Sequence, residues 1–144
     1  MARRSVAHAL SESVRDTGRA RLFRSHNPDY ADGGQKRDFV FVDDCCDAML
    51  WLYRTPRVSG LFNMGTGTAR TFMDLASAVY RATDRAPAVF FRDTPADIRD
   101  QYQYFTQARM DRLRAAGYEG PFTALEDGVT ATVRNYLSEP DPYR

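Results

Sequence analysis

Lysine is almost missing from this chain of 144 residues: of its 20 basic side chains, Lys36 is the one lysine and all the others are arginine. Any chemistry that needs an ammonium group has a single candidate position. Cysteine is scarce as well. Cys45 and Cys46 are adjacent, which does not suit an ordinary disulfide between them, and no CxxC or paired His/Cys spacing offers a metal site. No metal is expected, and the cysteine usage points to a reducing, cytoplasmic compartment. Long apolar runs are absent too, since the longest, Ala48 to Tyr53, falls far short of the ~20 residues that cross a bilayer. Met1 to Leu10 lead straight into Ser11, Glu12 and Arg15 without the apolar stretch of a signal peptide. No membrane partner is expected. A formal charge of +1 and no dense Lys/Arg run argue against nucleic acid as a partner.

What is present suits one folded domain. Aliphatic and aromatic residues make up 43% of the chain and charged residues 27%, close to the globular average rather than the disordered extreme. No repeat, low-complexity tract or linker divides residues 1–144, so a single domain is expected.

Apolar Val6, Ala9, Leu10 and Val14 recur at helical spacing, and Gly18 follows, predicting a helix over 5–17. A short strand at 21–24 and a turn-rich loop at 25–36 come next. The run Asp38-Phe-Val-Phe-Val42 suits a strand. Asp43 or Asp44 can then cap a helix to about Arg54, with Ala48, Met49 and Leu52 facing inward. A short apolar run, Leu61 to Gly65, ends in the Gly65-Thr66-Gly67 turn. Thr71 with Asp74 resembles a capping box that opens a helix to about Ala82. A strand at 88–92 and a Pro-containing connector follow. Two further helices are predicted, from a Thr106 cap to Ala116 and from a Thr123 cap to about Leu137. The alternation predicts α/β packing, and strands this short need neighbours to cover them.

Two stretches break the anonymity: Arg37-Asp-Phe-Val-Phe-Val-Asp-Asp44 and, after it, Leu61-Phe-Asn-Met-Gly-Thr-Gly67. In this order they resemble the C-terminal part of extended short-chain dehydrogenases/reductases, the NAD-dependent epimerases and dehydratases of nucleotide-sugars. Gln101-Tyr-Gln-Tyr-Phe-Thr-Gln-Ala108, Leu113 to Tyr118, Pro121-Phe122 and Glu126 to Val129 narrow the resemblance to the ADP-glyceromanno-heptose 6-epimerases, which make the heptose precursor of lipopolysaccharide inner core. It implies the C-terminal, substrate-binding part of a Rossmann-related enzyme, short strands alternating with helices, with the N-terminal Rossmann core absent.

The resemblance also implies a chemistry. Such enzymes oxidise and re-reduce one sugar carbon through bound NADP, using a tyrosine held ionised by a lysine four residues later and a Gly-rich turn for the pyrophosphate. Here no tyrosine has lysine at that position, and Gly60, Gly65 and Gly67 do not form GxGxxG. A further family lysine would fall just before Met1. The expectation is a truncated epimerase-like chain with no catalytic residue and no NADP site of its own.

The resemblance leaves this chain the substrate side. Arg37 matches an arginine that contacts the nucleotide-sugar, and a guanidinium fork suits a diphosphate; a surface arginine beside a strand is the plain alternative. Phe23, Arg24, Ser25 and His26 occupy the nucleotide-contacting segment, Tyr102 matches a pocket tyrosine, and His8 lies near a substrate-contacting histidine. The same positions could equally be a strand end with its turn, a core tyrosine and an ordinary helix histidine. Asp44 is expected to cap a helix, and Cys45 and Cys46 to pack. The implied partners are an ADP-sugar and, since members are homo-oligomers, another copy or a full-length epimerase. A noncatalytic binding or docking module, or one half of a split enzyme, are the other readings.

Overall fold

The computed structural model describes residues 5–137. Helix α1, Val6–Thr17, starts where Ser5 accepts a hydrogen bond from the His8 amide at 3.1 Å, and it stops at Gly18, whose φ of 70° suits a residue without Cβ. Strand β1, Ala20–Phe23, pairs in parallel with β4, Val89–Arg92, in the register Ala20 with Val89 and Phe23 with Arg92. The Tyr80 hydroxyl ties the start of both strands together. It accepts the Ala20 N–H at 2.8 Å and donates to the Ala88 carbonyl at 2.6 Å.

Helix α3, Phe72–Ala82, has the expected capping box between Thr71 and Asp74. It supplies most of the core: Leu75, Ala76, Val79 and Tyr80 meet Leu10 and Val14 of α1, Leu22 of β1, and Leu125 and Val129 of α6, Leu125–Ala131. The chain beyond α6 widens into a π-helical segment, Thr132–Leu137, so the last helix reaches the expected residue in two different pitches. A second, smaller core joins Ala48 of α2, Val42–Arg54, to Leu113 of α5, Asp111–Ala115, and to Tyr118, with Trp51, Phe62 and Met64 against them.

Several sequence expectations are corrected. No strand forms over 38–42; the strand lies just before it, β2 at Lys36–Arg37, which pairs antiparallel with β3, Arg70–Thr71, while Phe105 bridges to Lys36 in parallel. Phe39 instead spends its apolar surface on the core. Helix α2 opens after Phe41, with Asp43 and Asp44 inside its first turn rather than capping it, where negative charge complements the helix dipole. Met49 faces solvent, 55% exposed.

The helix expected from Thr106 begins only at Asp111. The Thr106 amide is held by the Lys36 carbonyl and the Ala108 amide by Asp38, which keeps the chain extended. Thr123 caps nothing: its amide and hydroxyl go to Asp44, and Ala124 takes the N-cap position. One turn of helix, α4 at Ala96–Arg99, forms within the Pro-containing connector. The alternating α/β character stands.

Candidate functional site

Two arrangements follow from this fold, one a support and one a cavity. The support is Asp38. Its Oδ1 accepts the Thr66 amide at 2.9 Å and the Thr66 hydroxyl at 2.6 Å, and its Oδ2 accepts the amides of Gly67 at 2.9 Å and Ala108 at 3.0 Å. One carboxylate thus fastens the Arg37-to-Asp44 stretch to the Gly65-Thr66-Gly67 turn and to the segment after Tyr102. Gly65 has to be glycine for the same reason, because a Cβ there would stand 2.6 Å from the Ala108 methyl and 2.7 Å from Asp38 Oδ2.

The cavity, of about 430 Å³, opens between α1 and the β1–β4 pair. Val6, Ala9 and Leu10 form its apolar floor, and Phe23, Phe72 and Tyr102 are aromatic walls. Arg21 and Arg92 reach it from neighbouring strands, and Arg92 lies 4.7 Å over the Phe23 ring. Phe23 and Tyr102 meet edge to face at 5.9 Å. Gln35, 1% exposed, is fixed by donating to the carbonyls of Phe23 and Arg24.

Arg37 stands behind this wall. Its guanidinium is 5.6 Å from the Tyr102 ring and 5.8 Å from the Phe72 ring, and it donates to the Lys36 and Gln103 carbonyls. Burial pushes the Tyr102 phenol up in pKa, with Arg37 opposing and Tyr104 reinforcing that shift. The phenol therefore keeps its proton at neutral pH and can donate a hydrogen bond to an anionic ligand.

Of the residues named from sequence, Phe23, Arg37 and Tyr102 are brought together. Arg24 turns outward to Asp93 at 3.7 Å. The Ser25 amide is held by Asp32 and its hydroxyl by the Asn27 carbonyl. The His26 amide donates to the Tyr104 hydroxyl at 2.9 Å, and its Nε2 accepts from the Thr94 amide. None of these three lines the cavity. His8 pairs with Glu12 at 3.4 Å and does not line the cavity; Ala9, one residue on, does. Arg21, Arg92 and Gln35 were missed. Alternation along β1 places Arg21 on the opposite side from Leu22, but only the parallel partner strand brings Arg92 beside Phe23.

Comparison with known proteins gives this geometry its context. Residues 3–65 match the NAD dependent epimerase/dehydratase family. A protein named ADP-L-glycero-D-manno-heptose-6-epimerase from Nitratidesulfovibrio vulgaris is 53% identical over 140 residues, which is 97% of this chain. The chain is similar, over nearly its whole length, to a part of such an epimerase. Its match spans only 43% of the Nitratidesulfovibrio protein, and a Fusobacterium nucleatum protein of the same name, 40% identical over 144 residues, is likewise covered over 43% of its length. The Helicobacter pylori ADP-L-glycero-D-manno-heptose-6-epimerase structure superposes with a TM-score of 0.65 at 22% identity, over 93% of this chain and 37% of that one, and so supports the fold.

A family described as NAD dependent calls for a dinucleotide cradle, and the nearest thing to one here is the Gly65-Thr66-Gly67 turn. Its Thr66 and Gly67 amides are already taken by Asp38, and Gly65 is closed in by Ala108 and the Asp38 carboxylate. The residues of this turn do not fit a dinucleotide. Among the described residues no cluster of His, Cys, Asp or Glu could hold a metal, and no helix is long and apolar enough to cross a membrane.

Proposed function

We propose that this chain is the nucleotide-sugar-binding part of an ADP-glyceromanno-heptose 6-epimerase-like protein, serving the heptose precursor of lipopolysaccharide inner core. The observation that carries the reading is a cavity walled by Phe23 and Tyr102, with the Arg37 guanidinium 5.6 Å from the Tyr102 ring behind that wall. Aromatic faces suit an adenine or sugar ring, and guanidinium forks suit the diphosphate between them. Arg21 and Arg92 add positive charge at the opening. Phe23 to His26, Arg37 and Tyr102 are the substrate-side residues of this reading; His8 is its weakest member, since it points to Glu12.

Redox epimerisation needs a phenolate paired with an ammonium, and this chain has no tyrosine with lysine four residues on. The chain by itself therefore binds without turning over. Calorimetry with ADP-glucose should give saturable binding, and an assay with ADP-heptose should give no product. Absence of ADP-glucose binding to the folded chain, or steady epimerisation by this polypeptide with host enzyme removed, would overturn the reading.

A second reading is a docking module that joins a full-length epimerase or a separately encoded catalytic half. It is favoured by α2, which exposes Val42, Met49, Leu50 and Tyr53, and by Leu61, 79% exposed on an extended stretch. Co-elution with a full-length epimerase on size exclusion, lost in Met49→Glu/Tyr53→Glu, supports it; separate elution sinks it.

A further inference from the structure

Gln35 is a polar side chain set among the aromatic walls of the cavity beside α1. It is 1% exposed and lines that cavity with Phe23, Phe72 and Tyr102. Its amide end is oriented by what it touches. The two groups within hydrogen-bond reach are the carbonyls of Phe23 and Arg24, each at 3.4 Å, and only the nitrogen can donate to them. Oε1 therefore faces away from both, and no described residue donates to it. Among the described residues Ser11 Oγ is the one unpartnered side-chain polar atom sealed from solvent. The Gln35 oxygen thus keeps an opening that a donor the size of water can reach. Since Gln35 lines the cavity and is otherwise enclosed, that opening is onto the cavity.

A buried acceptor calls for a donor, and the rest of the cavity limits which ligand group supplies it. Val6, Ala9 and Leu10 are apolar, and the Ser13 hydroxyl already donates to the Arg19 carbonyl at 2.7 Å. A sugar ring placed inside would leave most of its hydroxyls against carbon. A purine would not, because its faces suit the aromatic rings and its few polar atoms lie on its edge. Arg21 and Arg92 stand at exposed strand positions of the same cavity, where a diphosphate joined to the base through its ribose would meet them.

Resting on the nucleotide-sugar reading above, we propose that Gln35 is a specificity-determining residue whose fixed Oε1 accepts the amino group of adenine. A freely turning amide would meet a donor edge or an acceptor edge equally well. Gln35 does not turn freely, because turning would set its oxygen against two carbonyls. The cavity therefore prefers adenine to a purine that carries a carbonyl or only hydrogen at the same position.

Calorimetry on the whole chain with ADP, inosine diphosphate and purine riboside diphosphate, which lacks the amino group, tests this without any variant. ADP should bind about fivefold to tenfold more tightly than purine riboside diphosphate, the loss expected for one hydrogen bond. Inosine diphosphate, which turns a carbonyl toward Oε1, should bind no better than that analogue. Gln35→Met, of similar length without polar atoms, should bring the three within about twofold of one another. Circular dichroism checks its fold, and the ligand order in wild type remains the test should it not fold. ADP-glucose separates the two ways of failing. No saturable binding of ADP-glucose to folded wild type removes the nucleotide-sugar reading itself, whereas ADP-glucose binding with equal affinity for the three diphosphates overturns the role of Gln35 alone. An unchanged preference for ADP in folded Gln35→Met overturns it as well; so does a loss in that variant that falls on ADP-glucose and not on ADP, which would move the contact to the sugar.

Discussion

The Asp44 carboxylate receives both the amide and the hydroxyl of Thr123, each at 2.7 Å, across 79 positions of sequence. Asp44 is 7% exposed, so little water competes for it. This pair holds the first turn of α2 against the residue that precedes the α6 cap, and so links the smaller core to the main one. Asp44→Ala strands a threonine amide and hydroxyl, and should cost about 2–4 kcal/mol. Asp44→Asn, which keeps one acceptor, should lose less. Urea unfolding of the two variants measures the difference; equal losses would show that the pairing is not what matters.

Asp38 should be the more sensitive carboxylate. Four donors converge on it, and Asp38→Ala releases three segments at once, with a loss expected to exceed that of Asp44→Ala. Gly65→Ala attacks the same knot from the other side, forcing a methyl against Ala108 and costing about 1–3 kcal/mol. Thermal melts of the single and double variants should show the losses to be strongly non-additive, since the second change acts on a contact already broken. Additive shifts would argue against a shared knot.

Arg37→Ala should weaken ADP-glucose binding by about one to two orders of magnitude with little change in melting temperature. Arg37→Lys should not restore it, because a point charge cannot keep both carbonyl partners while lying across two rings. Full rescue by lysine would reduce the role of Arg37 to net charge. Calorimetry on both variants reads this directly.

Acid should destabilise the fold through Arg70. The hydrogen-bonded Arg70 guanidinium holds the Glu126 carboxyl below the usual carboxylate range. Burial pushes Asp74 upward, but its bonds from Thr71 and Arg70 outweigh that and leave it lowered. Both groups bind protons more readily in the unfolded chain. Their contribution is therefore complete above about pH 4 and is lost as pH falls through the lower folded values. Each is about a third or more exposed, so solvent keeps the contribution small. Urea midpoints from pH 6 to pH 2.5 should fall less steeply in Arg70→Gln than in wild type. Parallel curves would place the acid sensitivity elsewhere.

Much was legible in the sequence where the signal is local. Ser5 and Gly18 bound α1, Thr71 and Asp74 form the capping box, and the short runs expected near β1 and β4 are strands. These depend on backbone groups within a few residues, so the residue types suffice. Thr106 and Thr123 carry the same cap chemistry and do not use it, because Lys36 and Asp44, far off in sequence, claim them first. Arg37, Phe23 and Tyr102 were recognisable as motif residues, but nothing in the order of the chain placed Arg21 and Arg92 beside them.

Sequence by itself therefore determined the resemblance to the epimerases, the alternation of short strands with helices, and the absence of a tyrosine-lysine pair, since each is a matter of which residues stand at which spacing. Only the tertiary structure decided which polar side chains cap helices and which clasp distant segments, that the glycine turn closes on Asp38, and that Gln35 and two arginines line one cavity beside α1. The physical reason is competition: a buried carboxylate or amide takes the nearest partner in space, and that partner exists only once the chain has folded.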